Sequence, residues 1–376
     1  MGCADSRKML TNETKKDDKY IQNNLLKKNE TDSKHKNNEN NILKDKIVSE
    51  EKNRKEEYKI DKEEKNKIND NDNDNDNDSD EFIIRYGTSN MITLIYYAKT
   101  KGVYKIFGET FVTLNKDNII IVINYKDSPF VHECELQEGD NRISLIIKNP
   151  LTNITEMFHG CNSLKDISDL RYLDVSKVKY YDLAFAYNET LSDISPLSNW
   201  DVSNGETFIS MFEGCSSLTY IKALKRWNVS KGVDFESMFN RCSNLLEIKA
   251  LYNWNVSNGE NFACMFYNCP ILLDLVPLIN WNVSNGVDFQ YMFGKCKLLN
   301  DIASLTNWNV SKGENFSFMF SDCSKLSYIS HIKKWDVSNG KNFKGMFYNC
   351  PCSIDSLKDW NITQEKFDSI QNIKNN

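Results

Sequence analysis

The chain has 376 residues, with 47 Lys and Arg against 53 Asp and Glu and a formal charge of −6. That mild acidity excludes a general nucleic-acid binder, which presents a strongly basic face. No apolar run reaches the roughly 18 residues of a membrane-spanning helix, and the N-terminus shows no apolar segment with a small-residue cleavage site, so neither a spanning segment nor a secretory leader is expected.

The first residues, Met1-Gly2-Cys3-Ala4-Asp5-Ser6, match the N-myristoylation pattern, with Gly2 as acceptor and Ser6 at the favoured position. One myristoyl chain binds membranes only marginally, with K of about 10⁴ M⁻¹, so stable anchoring needs a second signal. Cys3 offers it as a palmitoylation site. Arg7, Lys8, Lys15 and Lys16 are a weaker candidate because acidic residues interleave them. Residues 1–80 are Lys, Asn, Asp and Glu with few apolar side chains, and end in an Asn/Asp run from Asn69 to Asp80. Such a segment cannot bury enough apolar surface to offset its ordering entropy, and is read as a disordered arm. As a flexible chain of about 75 residues it would span roughly 50 Å. The Asn/Asp run lacks the central Gly and terminal Glu of an EF-hand loop and is read as low-complexity filler.

Composition changes near Glu81. Phe82–Tyr86, Ile92–Tyr97, Val103–Phe107, Asn118–Ile123 and Arg142–Ile147 are β-branched and aromatic runs, separated by Gly87, Gly108, Asp117, Gly139 and Asp140. They predict a small β-rich domain of five or six strands over 81–150, with Gly108 in a tight turn between two strands.

From Met157 onward the sequence repeats itself. Met211-Phe212, Met238-Phe239, Met265-Phe266, Met292-Phe293, Met319-Phe320 and Met346-Phe347 recur every 27 residues. Cys215, Cys242, Cys269, Cys296, Cys323 and Cys350 keep that step, as do Trp200, Trp227, Trp254, Trp281, Trp308 and Trp335. Upstream, Met157-Phe158 with Cys161 and Ala184-Phe185 with Asn188 are degenerate copies, Leu173 starts the Trp column, and Trp360 comes two residues early. Degenerate ends are expected of capping units.

The unit reads Phe-x-x-Met-Phe-x-x-Cys-x-x-Leu-x-x-Ile-x-x-Leu-x-x-Trp-Asn-Val-Ser-Asn-Gly. Apolar residues recur by threes, which fits neither an amphipathic helix nor a regular strand and suits a coil that sends one side chain inward at each corner. The first half is long enough for one or two helical turns, and Leu-x-x-Ile is read as a short strand stacked in parallel on its neighbours. Gly205, Gly232, Gly259, Gly286, Gly313 and Gly340 are assigned to turns needing positive φ. Asn228, Asn255, Asn282 and Asn309, with Asp201 and Asp336, are assigned to a hydrogen-bond ladder between coils. Asn228-Val229-Ser230 and its copies also read as glycosylation acceptors, but a glycan on every coil would crowd the stack, so the structural role is preferred. The fold class expected is an α/β solenoid: an LRR-like stack of about eight 27-residue repeats over 151–366, with a tail from 367 to 376.

Met-Phe-x-x-Cys followed by Leu-x-x-Ile and Trp-Asn-Val-Ser-Asn resembles the BspA-type leucine-rich repeats of bacterial surface proteins and many protist proteins, over about 157–365. The β-rich block, with Lys105-Ile106-Phe107-Gly108 and Phe111-Val112, is similar to the segment preceding such repeats in protist members. The resemblance implies an LRR-like solenoid used in adhesion or protein binding, with no catalytic residues to transfer.

Chemistry is sparse. His35, His132, His159 and His331 form no metal-ligating or nucleophilic pattern, and no hydrolase, metalloprotease or phosphate-cradling motif occurs. Cys264 with Cys269, and Cys350 with Cys352, only loosely suggest zinc; a packed cysteine column explains them better. The 11 cysteines point to a reducing compartment. No catalytic residue, metal, cofactor, nucleic acid or small-molecule substrate is expected. The partner would be a protein, met on exposed repeat positions. The residue before the Ile of Leu-x-x-Ile forms the series Asp166, Asp193, Tyr220, Glu247, Asp274, Asp301 and Tyr328, an acidic-aromatic ridge that would steer basic partners. Together these features describe a scaffold tethered to the cytoplasmic face of a membrane through lipid on Gly2 and Cys3. The alternatives are a secreted or surface adhesin and an enzyme hidden in the β-rich block.

Overall fold

The computed structural model describes residues 91–371, so Gly2, Cys3, the Asn/Asp run and Phe82–Tyr86 lie outside the described residues. Strand β1 (Met91–Ala98) buries Ile92, Leu94, Tyr96 and Ala98, the alternation that puts one face of a strand on a core. After it come β2 (Gly102–Lys105), helix α1 (Glu109–Asn115), β3 (Ile119–Ile123), β4 (Lys126–Ser128), β5 (Glu133–Leu136), β6 (Gly139–Ile147) and β7 (Leu164–Asp166). One sheet has the order β4-β3-β6-β1-β7, and β2 pairs with β5 separately. β1 runs antiparallel along β6, from Met91 opposite Ile146 to Ala98 opposite Gly139.

Gly108 does not join two strands. It has φ −74° and precedes α1, and a side chain there would collide with the Glu156 carbonyl of the first repeat. Glycine is required by close approach between the helix start and the repeats. Strand β7, itself part of the first repeat, forms an edge of the sheet, and one apolar core runs from Ile92 to Ile370.

Each later unit follows the same backbone path. Parallel bridges link Asn153, Tyr180, Thr207, Asp234, Asn261, Asp288, Asn315 and Asn342, always the residue before the first Phe of the consensus or its counterpart. The predicted parallel strand at Leu-x-x-Ile is therefore misplaced. There, only Tyr220 and Glu247 are bridged in parallel, and β7 pairs antiparallel with β1.

Phe-x-x-Met-Phe-x-x-Cys is not helical either. The N–H groups of Phe208, Ser210, Phe212 and Gly214 donate to the carbonyls of Asp234, Glu236, Met238 and Asn240 in the next coil, at 2.9, 2.7, 3.0 and 2.8 Å. The intervening N–H groups of Met211, Glu213 and Cys215 donate three residues back, to Phe208, Ser210 and Phe212. Half of the donors thus belong to the neighbouring coil, which a helix would keep for itself. This turn-by-turn path requires positive φ at Ser210 (53°) and Gly214 (70°). Both columns repeat it, at Ser237, Cys264, Tyr291 and Phe318, and at Arg241, Asn268, Lys295 and Asp322. A left-handed residue other than glycine costs roughly 1–2 kcal/mol; the paired donors offset that cost.

The column Gly205 to Gly340 is not in the left-handed region. A Cβ on Gly232 would stand 2.5 Å from Cζ of Phe235 and 3.1 Å from the Val229 carbonyl oxygen, so glycine is needed because its own coil's phenyl ring lies over it. The Asn assignment also changes. Asn228 and Asn255 accept from Ser230 and Ser257 two residues on, at 3.2 and 3.1 Å, inside one coil. The ladder between coils is made by the other asparagine: Nδ2 of Asn204, Asn258, Asn285 and Asn339 donates to the carbonyls of Ser176, Ser230, Ser257 and Ser311, each at 2.7 Å.

After each Ile, or Leu275 in its place, the chain turns through a short 3-10 helix, such as Ser195–Asn199, Lys222–Arg226, Lys249–Asn253 and Val276–Leu278. With three residues per turn, that helix explains the apolar spacing by threes: Ile221, Leu224 and Trp227 are all buried. The indole N–H groups of Trp227, Trp254 and Trp281 donate to the carbonyls of Leu197, Leu224 and Leu251 in the preceding coil, at 3.0 Å. Trp227 stacks on Trp200 and Trp254 at 6.3 and 6.5 Å. The thiols of Cys215, Cys242, Cys269, Cys296 and Cys323 donate to phenylalanine carbonyls one coil back at 3.1–3.2 Å. Asn188, in the degenerate copy, makes that bond with its amide, to Phe158 at 2.7 Å. Trp360, displaced by the shortened last unit, has a buried indole N–H with no hydrogen-bond partner.

Helix α2 (Gln364–Ser369) closes the stack. The carbonyls of Ser369 and Ile370 accept from Gly345 and Phe347, at 2.8 and 3.0 Å, standing where another coil would supply acceptors. Residues 367–371, expected to belong to a tail, complete this cap.

Candidate functional site

The predicted ridge occupies the edge where each coil enters its 3-10 helix. Asp166, Asp193, Tyr220, Asp274, Asp301 and Tyr328 are exposed, and Glu247 is half-buried. Most of the acids also serve the local backbone. The carboxylates of Asp166, Asp193, Asp274 and Asp301 accept from the backbone N–H groups of Ser168, Ser195, Val276 and Ala303, at 2.7–2.8 Å, two residues on at the helix start. Glu247 pairs with Lys249 at 2.6 Å. The Lys222 ammonium stands 5.1 Å from the Tyr220 ring centroid. At the far end, His331 meets Tyr328 edge to face and places Nε2 3.5 Å from Asp301. Tyr220 and Glu247 are joined by the parallel bridge; the other members are spaced along the stack, each engaged within its own coil or with an adjacent one. The ridge residues thus stand at the turns that open the 3-10 helices, with most of their side chains exposed.

A second face, made of half-buried side chains, escaped the sequence reading. The left-handed columns and the residues beside them bring Tyr267 and Tyr291 edge to face at 5.2 Å, and stack Tyr291 on Phe318 at 4.7 Å. Lys295 lies 5.2 Å from the Tyr267 ring centroid. Earlier in the stack the same face is polar: Glu213 accepts from the Tyr187 hydroxyl at 2.8 Å, from Ser210 at 2.7 Å and from the Asn240 amide at 3.0 Å. The signal in the sequence was the changing residue inside an otherwise fixed Phe-x-x-Met-Phe.

Among the described residues no three His, Cys, Asp or Glu side chains are placed to hold a metal. Burial pushes the thiols of Cys161, Cys215 and Cys269 up to about 12, so they stay protonated. Cys350 donates to the Phe320 carbonyl at 2.9 Å as its column requires. The pKa of His159 is lowered by burial and then by Lys105, whose ammonium is 3.5 Å away. Beside α1, an open depression is lined by Glu109, Thr110, Thr113, Leu114 and Glu156; the Glu156 carboxylate there accepts from the Thr110 N–H at 3.1 Å. No helix among the described residues is long and apolar enough to cross a membrane.

A family model described as a Mycoplasma protein of unknown function, DUF285, matches residues 152–276, 219–302 and 273–375. These overlapping matches cover the repeats and leave the sheet-forming residues before 152 outside them. No curated protein and no solved structure shows a significant match to the chain.

Proposed function

The chain belongs to the DUF285 family of BspA-like repeat proteins, and from that premise we propose that it is a non-enzymatic, protein-binding scaffold. In this reading the repeats form an LRR-like solenoid of the protist BspA kind, and a protein partner docks on its exposed columns. The observation that supports it most is the contrast between inside and outside. From Met211 to Phe347 the Met, Phe and Trp columns repeat and are buried, whereas the exposed positions that open the 3-10 helices, such as Ser195, Lys222, Lys249 and Val276, change type from coil to coil. An invariant frame carrying variable exposed rows is what a repeat protein needs to display a binding surface. The test is affinity capture on the full-length chain followed by calorimetric titration with the captured protein after purification. Direct saturable binding to an exposed column supports the scaffold. Failure of every captured protein to bind directly would overturn it.

The tether to the cytoplasmic face of a membrane rests on Gly2, Cys3 and Ser6 alone. Metabolic labelling with myristate and palmitate analogues tests it. Gly2→Ala should abolish labelling and release the protein from membranes, and Cys3→Ser should remove only palmitate. Retained labelling in Gly2→Ala would sink the assignment and shift attention to display at the cell surface.

A further inference from the structure

Three neighbouring 3-10 helices, Lys222–Arg226, Lys249–Asn253 and Val276–Leu278, pack side by side in consecutive coils. In such a helix, side chains three apart eclipse one another. Each coil therefore exposes a short row, Lys222 with Lys225, then Lys249 with Tyr252, then Val276 with Ile279, and beside these rows Arg226, Asn253 and Asn280 are exposed as well. The three rows grade from doubly basic through basic-aromatic to doubly apolar.

Exposure is substantial at the apolar end. Tyr252 is 47% exposed, Val276 53% and Ile279 43%. On either side the same positions hold small or neutral residues, Ser195 with Ser198 and Ala303 with Thr306. The gradient is thus confined to three coils of the stack. At the basic end, Lys225 forms no salt bridge among the described residues, and Lys222 rests over the Tyr220 ring.

Resting on the scaffold reading above, we propose that these three rows form the docking site for an acidic-apolar peptide segment of a partner protein, its carboxylates over Lys222, Lys225 and Lys249 and its apolar side chains over Tyr252, Val276 and Ile279. Charge complementarity selects the sign of the partner, opposite to the basic partner that the ridge series suggested. Of the three lysines, Lys249 already pairs with Glu247, so Lys222 and Lys225 supply most of the attraction. Mixed character selects a peptide over a purely electrostatic ligand, because the exposed Val276–Ile279 row gains only when apolar surface covers it.

The experiment is selection of a random dodecapeptide display library on the immobilised full chain, followed by fluorescence anisotropy with the enriched peptides. Enrichment of sequences joining Asp or Glu to Leu, Ile or Phe is expected. Lys222→Glu with Lys225→Glu, and separately Val276→Asp with Ile279→Asp, should each weaken binding by about tenfold or more. Lys222→Gln with Lys225→Gln should weaken it less, and rising salt should weaken the wild type. Lys333→Glu, two coils beyond the patch, should change nothing. Unchanged circular dichroism in every variant shows that folding is not the cause. Enriched peptides that are basic, or acidic ones indifferent to both double variants, would overturn this site while leaving the scaffold standing. A screen that enriches no peptide would count against both. Loss of co-sedimentation with phosphatidylserine–phosphatidylcholine vesicles in the patch variants, with peptide binding intact, would assign the rows to a lipid surface instead.

Discussion

Replacing Gly232 by Ala should destabilise the stack by about 1–3 kcal/mol, because the added methyl group enters occupied space. The Phe235 ring is fully buried between Phe208 and Phe262, with centroids 5.6 and 5.7 Å away and planes within 6° of parallel. A Cβ on Gly232 would stand 2.5 Å from Phe235 Cζ and 3.1 Å from the Val229 carbonyl oxygen. Ordinary contact needs about 3.5–4.0 Å, so the ring must slide by about 1 Å and both stacked neighbours resist. The competing explanation, a backbone conformation only glycine tolerates, predicts a loss indifferent to that ring. A double-mutant cycle separates the two. Phe235→Leu removes Cζ and costs less than the roughly 3–5 kcal/mol of a Phe→Ala change. Combined with Gly232→Ala it should recover stability, with a coupling of about 0.5–3 kcal/mol. Urea unfolding followed by tryptophan fluorescence and circular dichroism reads the difference, compared as midpoints because repeat arrays can depart from two-state behaviour. Strict additivity, or a harmless Gly232→Ala, would refute the steric account.

Other outcomes follow from the same coil. Trp254→Ala should cost about 3–5 kcal/mol, since the ring is 3% exposed and its indole N–H donates to Leu224; a loss below about 1 kcal/mol in urea unfolding would contradict the shared core. Arg241 has φ 59° and is exposed, so Arg241→Gly should stabilise by about 0.5–1 kcal/mol and Arg241→Val should destabilise, measured as opposite shifts in melting temperature. Burial raises the Cys215 and Cys269 thiols from 9.0 to about 12. A raised folded-state pKa leaves stability intact below the unfolded value and removes it as pH climbs through the folded one. Stability should hold up to about pH 9 and decline toward pH 12, with a shallower decline in Cys269→Ala; identical alkaline titrations would refute this. Ending the chain at Ile362 removes the carbonyls that cap Gly345 and Phe347, and light scattering should then show concentration-dependent self-association. A stable monomer would mean the cap is dispensable.

What could be read from residue order was the interior. Met238, Phe239, Cys242, Leu245, Ile248, Leu251 and Trp254 are all buried, and their counterparts recur because each coil offers the next nearly the same cavity. Backbone conformation was not readable. Ser210, Arg241, Tyr291 and Phe318 have no shared preference for left-handed φ; the neighbouring coil imposes it by taking every second N–H. Gly232 was flagged correctly for a reason that proved different, since spacing reveals a demand for glycine but not whether φ or a ring creates it. The two asparagines of Trp-Asn-Val-Ser-Asn-Gly differ in the same way. Asn255 closes its own turn and Asn258 reaches across, a distinction that depends on which side of the corner each occupies. On the candidate surface, Asp274 and Asp301 also accept the N–H two residues later, a local role that residue type alone did not reveal.

Every interior coil presents one set of donors and acceptors toward its successor and the complementary set toward its predecessor, so any two of these 27-residue modules are interchangeable at their joints. Duplicating one would add a single rung, about 4.8 Å deep, without creating a new kind of contact; excising one would leave equally compatible faces to meet. Unequal recombination between such similar stretches of gene would therefore generate chains with more or fewer rungs and shuffle rows such as Lys249–Tyr252 against their neighbours. New surface combinations could arise this way while the aromatic and sulfur column inside stays unbroken.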